Sequence, residues 1–333
     1  MKTKSKITSV CAVLLLCFFT GCGGIQQKKT LLTVDFQKGQ TLRYKFVSSR
    51  NVDIEMNMGR ERAEAGKNNV EKLSESMEMI VAYTPTEVDP YGLTTIKATC
   101  ESVNIKRDSK AGRNAVKNDA VEYAAGRSFT FTVGPRGKIE DYSQLNELIK
   151  QMGEKAFRPN TERGRIKEPD MISDFVATQW FLWDAVSSIE NYAEDISIGQ
   201  SWKSKLSVPT PMVMRKARDV TYTLAEVRDG SQGRTAVIHS SYSLAESAPA
   251  SWPIPYTGRF QMSGTFGFLS YYKVLGLQGE GEELFNIDAG RTEQHNQQYQ
   301  MNLEASLPMG VGGGSKLSIK QTLTMQLLEN NQK

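Results

Sequence analysis

Two stretches of the chain, 160 residues apart, carry one pattern. Asp35-Phe36-Gln37-Lys38-Gly39-Gln40-Thr41-Leu42-Arg43-Tyr44-Lys45-Phe46 aligns without gaps with Asp195-Ile196-Ser197-Ile198-Gly199-Gln200-Ser201-Trp202-Lys203-Ser204-Lys205-Leu206. The Asp, Gly, Gln and second Lys are identical, and Thr/Ser, Leu/Trp, Arg/Lys and Phe/Leu are similar. A repeat with a period close to half the chain points to two related units in tandem.

The segments downstream of each copy correspond more loosely. Met77 to Tyr83, a turn at Asp89-Pro90-Tyr91-Gly92 and a run reaching Cys100 parallel Val220 to Val227, a turn at Asp229-Gly230-Ser231-Gln232-Gly233 and Thr235 to Leu244. Gly126 to Ile139 then sits beside Gly281 to Arg291, each a short run, a Gly-containing turn and the start of another run. Apolar residues alternate with period two between Asp/Gly/Pro turns, the pattern of antiparallel hairpins. Lys316 to Leu328 alternates likewise and is expected to be a closing strand, after a flexible linker at Gly310-Val311-Gly312-Gly313-Gly314. The charged stretches Gly59 to Ser76 and Lys106 to Ala125 are expected to be long hairpin loops, each with room for a helical turn.

Between the halves the period changes. Tyr142 to Phe157 places Leu145, Leu148, Ile149 and Met152 on one stripe, with Asp141 and Ser143 as caps. Pro169 to Tyr192 does the same with Ile172, Phe175, Val176, Gln179, Trp183, Val186 and Ile189. Trp180, Phe181 and Leu182 lie off that stripe, so the second helix is expected to be buried between the halves or to line an aromatic groove for a hydrophobic ligand. The expected fold is α+β and predominantly antiparallel β: two tandem related curved, half-barrel-like sheets bridged by a helical segment. The boundaries are a leader over 1–21, a tether over 22–32, a first β half over 33–141, a helical bridge over 142–193 and a second β half over 194–333.

The amino terminus addresses the chain to an envelope. Lys2, Lys4 and Lys6 precede an apolar run from Val10 to Phe19 that is too short to span a bilayer, followed by Thr20-Gly21-Cys22-Gly23-Gly24. Phe19-Thr20-Gly21-Cys22 resembles a bacterial lipobox, which implies cleavage before Cys22 and acylation, palmitate among the chains, on its thiol. Each buried methylene adds about 0.8 kcal/mol of anchoring, so several chains hold a protein on a membrane effectively permanently. No acid adjoins Cys22, which by resemblance to Gram-negative sorting signals implies the outer membrane, at its periplasmic face or surface. Loss of three lysines takes the formal +4 to about +1, and a nearly neutral chain is not built for nucleic acid.

Chemistry is sparse. Cys11 and Cys17 leave with the leader and Cys22 is acylated, so Cys100 stands alone without a disulfide partner and reads as a small buried hydrophobe. The only histidines are His239, in an alternating strand, and His295, in a polar stretch; no spacing for zinc, and no other cofactor motif, is present. Asp170, Asp174, Asp184, Glu190, Glu194 and Asp195 gather around the second helix, and paired carboxylates serve glycoside hydrolysis. Trp252-Pro253-Ile254-Pro255-Tyr256 is a proline-fixed extended segment flanked by two aromatics that would stack on a ligand or pack on the sheet.

The lipobox, the Gly-Gln-x-Leu-x-Tyr opening of the first half and the Ile-x-Ile-Gly-Gln-Ser-Trp opening of the second (Ile196 to Trp202) together resemble an uncharacterised bacterial lipoprotein family, domain of unknown function six-two-six-three. That resemblance implies fold and location, and no catalytic residues. The function expected is a non-enzymatic binding or structural module for a hydrophobic, lipid-like ligand or an envelope protein, with Trp180, Trp183, Trp252 and Tyr256 as ligand contacts. A hydrolase of envelope polysaccharide or peptide, with carboxylates in the cleft between halves, is the alternative. Cys22→Ser is expected to release the protein from membranes during an alkaline wash; unchanged retention overturns the anchor.

Overall fold

The computed structural model describes residues 29–56, 70–109, 120–135, 137–155, 195–207, 216–248, 270–306 and 315–328. Within them the chain is almost entirely antiparallel β, with a single 13-residue α-helix, α1 (Ser143–Lys155). The strands are β1 (Thr30–Leu31), β2 (Leu42–Met56), β3 (Val70–Val88), β4 (Thr94–Ser109), β5 (Ser128–Val133), β6 (Ile139–Asp141), β7 (Asp195–Ile196), β8 (Ser201–Ser207), β9 (Ala217–Gly230), β10 (Gly233–Leu244), β11 (Ser270–Asn286), β12 (Arg291–Ser306) and β13 (Ser315–Leu328). A short 3-10 turn spans Ala120–Ala124.

Eleven strands form one open sheet in the order β6-β5-β4-β3-β2-β13-β12-β11-β10-β9-β8. Every neighbour but one is also a neighbour in sequence. The exception is β2 with β13, paired from Arg43–Leu328 to Met56–Ser315. Instead of closing a second, separate sheet, Lys316 to Leu328 joins the strands of both halves in one sheet. The charged segments also run further as strand than their composition suggests. Residues 70–76 begin β3 and residues 106–109 end β4, and the two stretches pair with each other in register, Ser74 opposite Asp108, Glu75 opposite Arg107 and Ser76 opposite Lys106.

Period two decides which face is inside. Tyr44, Phe46, Ser48, Arg50 and Val52 of β2 are buried, while Arg43, Lys45 and Val47 share the other face. β13 buries Ile319, Gln321, Leu323 and Met325 and turns Lys316, Lys320 and Thr322 to solvent. One apolar core runs along the inner face from Phe129 and Phe131 of β5 to Val220 of β9. Tyr83 meets both Tyr44 and Phe131 edge-on, with centroids 5.9 and 6.1 Å apart. The helix adds Leu145, Leu148 and Met152 to this core, as its spacing requires, and the Asp141 carboxylate accepts the Ser143 amide at 2.9 Å at its start. A smaller core of Leu32, Ile196, Leu224, Ala236, Ile238 and Phe285 lies under the β1–β7 ribbon.

The two matched sequence segments build the same lead-in. The Gln40 amide donates to Gln37 O at 3.0 Å and the Gln200 amide to Ser197 O at 2.9 Å. Gly39 and Gly199 hold φ of +80° and +85°, which glycine adopts without steric cost. Each then donates its amide to the adjacent strand, to Pro85 O at 2.8 Å and Leu224 O at 2.7 Å. The hydroxyl pairs Thr41–Thr84 and Ser201–Thr223 repeat the match at 2.8 and 2.7 Å.

The two ends of the sheet differ. At one end the connections are tight: residues 89–93, 134–138, 231–232 and 287–290. At the other they are residues 57–69, 208–216, 245–269 and 307–314. On β11, Gly281 allows a close approach on the inner face: a Cβ there would lie 2.7 Å from Ser240 Oγ and 2.9 Å from Tyr242 Oη. Gly276 of the same strand faces nothing within 4 Å. Gly281→Val should therefore cost about 1–3 kcal/mol of overpacking, and Gly276→Val no more than about 0.5 kcal/mol. Urea midpoints of the two variants check this, and equal shifts would count against the packing described.

Candidate functional site

Polar residues cross the apolar inner face as a band two registers deep. One register runs Tyr242–Gly279–Tyr299–Gln321–Arg50 from β10 to β2, and the next Ser240–Gly281–Gln297–Leu323–Ser48. Each of the named polar side chains is buried. Apolar residues flank the band: Met301, Ile319 and Val52 away from the tight-turn end, and Met325, Phe46 and Met79 toward it, in a register that continues on β12 and β11 as His295 and Glu283.

The band is hydrogen-bonded within itself. Tyr299 Oη donates to Gln321 Oε1, and Gln321 Nε2 donates to Ser48 Oγ at 2.7 Å. Ser240 Oγ donates to Tyr242 Oη at 2.8 Å. Arg218, fully buried at the start of β9, brings Nη1 to 3.3 Å from Gln297 Oε1 and lies over the Tyr242 ring at 4.9 Å. Two guanidiniums, two primary amides and four hydroxyls thus share one buried strip. Such groups donate to carboxylate, phosphate or ester oxygens.

Beside the band, Glu283 and His295 stand opposite each other on β11 and β12. Burial raises the Glu283 carboxyl from 4.5 to about 7, against the lowering effect of the Thr292 hydroxyl that donates to it. Burial and, next, the Arg218 charge lower His295 from 6.5 to about 4. Cys100 is buried in the main core, and burial, followed by the Glu101 charge, pushes its thiol up to about 12, a range in which it is no nucleophile. His239 lies on the outer face, 3.4 Å from Glu282. Among the described residues no group of three or more His, Cys, Asp or Glu is placed to hold a metal.

Cys22, Trp180, Trp183, Trp252 and Tyr256 lie outside the described residues, as do Asp170, Asp174, Asp184, Glu190 and Glu194. Asp195 is exposed on β7, opposite Leu31. The band escapes a reading by apolar periodicity, although the sequence holds a signal for it. Ser48 and Arg50 are in phase with the buried Phe46 and Val52, and Gln321 with Ile319 and Leu323. Polar residues in the buried phase of a strand are costly without hydrogen bonds and mark either a network or a site.

The outer face is polar. On β12 it carries Asn296, Gln298, Gln300, Asn302 and Glu304, beside Lys320, Thr322 and Thr324 of β13. A barrel that spans a bilayer has the opposite polarity, apolar outward. Among the described residues no helix is long and apolar enough to cross a membrane.

No family model matches the chain, and no curated protein matches it either. Among solved structures, lipovitellin is similar at TM-score 0.47 and 9% identity over 89% of this chain, which spans 26% of the lipovitellin chain. An outer membrane channel from Pseudomonas putida F1 is similar at TM-score 0.19 and 7% identity, with 89% of this chain and 97% of the channel covered. Pseudomonas aeruginosa OpdL gives TM-score 0.18 and 10% identity, with 87% and 99% covered.

Glu283 and His295 make opposite contributions to stability with pH. With its pKa raised on folding, the neutral Glu283 stabilises the fold below about 4.5, and that contribution is lost as pH rises to about 7. With its pKa lowered, the neutral His295 stabilises above about 6.5, and that contribution is lost as pH falls to about 4. Between pH 4.5 and 6.5 the two slopes offset each other. Relative to the parent chain, Glu283→Gln should become more stable as pH rises through this window and His295→Asn less stable, each by about 2 kcal/mol. Denaturant melts at several pH values check the signs, and parallel profiles for the two variants would contradict them.

Proposed function

We propose that the chain is a cell-envelope lipoprotein, held on the outer membrane by acyl chains on Cys22, that binds a hydrophobic or lipid-like ligand on the inner face of its open sheet without catalysing a reaction. The observation that carries this reading is the banded inner face: apolar residues of β13, β2 and β3 on both sides of a buried strip of guanidinium, amide and hydroxyl donors. An amphiphile has the same pattern, with apolar chains that gain about 25 cal/mol per Å² when taken from water and a polar junction that needs donors. The lipobox and the absence of an acid next to Cys22 support the location. The matched lead-ins at Gly39 and Gly199 support a chain built from two related units whose strands have joined into one sheet.

Absence of a catalytic spacing in sequence supports binding rather than chemistry. Cys100 stays protonated and is no nucleophile. Native mass spectrometry of the protein purified from its own host and released from its anchor is expected to show a co-purifying acyl or glycolipid. A consistently empty protein overturns the ligand reading.

A further inference from the structure

We propose that the tight-turn end of the sheet rests on the bilayer that holds the anchor, with Tyr91 as its interfacial contact. The inference depends on acylation of Cys22. Thr30 of β1 lies eight positions after Cys22, a reach of at most about 28 Å when fully extended. β1 belongs to the tight-turn end: it pairs with β7, which runs directly into the Ser197–Gln200 turn, and the Asp35 amide beyond it donates to Gly290 O at 2.9 Å in the β11–β12 turn. The central strands β2, β12 and β13 hold 14 to 16 residues, about 46–53 Å at 3.3 Å per residue. Even tilted by the 35–45° usual in barrels they stand roughly 33 Å or more. A 28 Å tether cannot place the opposite end on the membrane while β1 stands that far above it.

The surface at this end fits the same orientation. The described residues include seven exposed large apolar side chains, and Leu31, Val88, Tyr91, Leu93 and Ile198 all lie at the tight-turn end. Tyr91 is 86% exposed yet held on a rigid tip. Asp89 Oδ1 accepts the amides of Tyr91 and Leu93, both at 2.8 Å, and the Asp89 amide donates to Leu93 O at 2.9 Å. An ordered tyrosine flanked by Val88 and Leu93 presents an apolar body and a polar tip, the character of residues at the headgroup level. Nothing in the sheet's own packing requires those side chains to be apolar, since they face away from both cores.

The test uses the acylated full chain in vesicles of phosphatidylethanolamine and phosphatidylglycerol. An environment-sensitive fluorophore is placed at Tyr91→Cys or, at the opposite end, at Lys316→Cys; Cys22 is acylated and the buried Cys100 does not compete for label. Position 91 should shift to the blue and lose about half its emission to spin-labelled lipid, as expected for a residue ~5–10 Å into the interface. Position 316 should lose none. Equal quenching at both positions, or quenching at 316 alone, overturns the orientation. A blue shift at 91 without lipid quenching assigns the tip to a protein partner and also overturns it. Intact mass separates the two claims: acylated protein with an unquenched position 91 defeats this inference alone, whereas protein without acyl chains defeats the anchor as well.

Discussion

The pairing of β2 with β13 is the constraint on which the rest of the molecule depends. It brings together segments 259 to 285 residues apart in sequence, and chain-closure scaling sets the entropic cost of such a contact at about 5 kcal/mol. Ladder hydrogen bonds alone recover little of this, because the unfolded strands bond equally to water. Side chains on the inner face supply the remainder. Phe46 faces Met325 and Val52 faces Ile319 across the joint. Tyr44 of β2 reaches over β13 to donate to Thr292 O on β12 at 2.8 Å, and Gln321 links Tyr299 to Ser48. Without the joint each half would present an apolar sheet face with a free edge at β2 or β13. With it, one inner face runs from β5 to β9.

A polar band through such a face lowers stability relative to an all-apolar one. Buried ionic and amide groups recover their desolvation only through good mutual geometry, and apolar replacements of similar volume often do as well or better. Glu283 and His295 show how the fold limits that cost: burial holds one toward the neutral acid and the other as the neutral base. Arg218 and Arg50 have no neutral form to retreat to. At 0% and 4% exposure they depend on partners within the face, which for Arg218 are Gln297 Oε1 and the Tyr242 ring.

Local structure is legible in the sequence because local rules produce it. The hairpin turns at Asp89 and Gly230, the helix with its Asp141 cap and the alternation of β13 all arise from turn residues and periods that need no distant partner. The joint is not legible in this way. Alternation states which side chains of β13 share a face, but strand order depends on which edge the other half leaves open. Charge makes Val70 to Ser76 and Lys106 to Ser109 resemble loops; they are strand because each lies opposite the other in the β3–β4 ladder, a long-range pairing that composition does not show. Neglect of phase hides the band, where Ser48, Arg50 and Gln321 break the buried phase of otherwise apolar strands. The aromatic segments around Trp183 and Trp252 fall outside the described residues.

An open sheet also leaves two edges to protect. Among the described residues β6 and β8 do not pair with each other, and a bare edge invites pairing with another chain. The two edges are defended differently. β6 is only three residues long and ends in Glu140-Asp141, while β8 carries Lys203 and Lys205, the latter 2.5 Å from Asp219. Opposite charge on the two edges would favour their approach, so charge alone does not keep the sheet open; the brevity of β6 does, since three residues offer too short a ladder for the seven of β8. α1 packs on the main core and the β1–β7 ribbon on the smaller one, so neither covers the backbone ladder of β6 or β8, and the defence of each edge falls to its own length and charge.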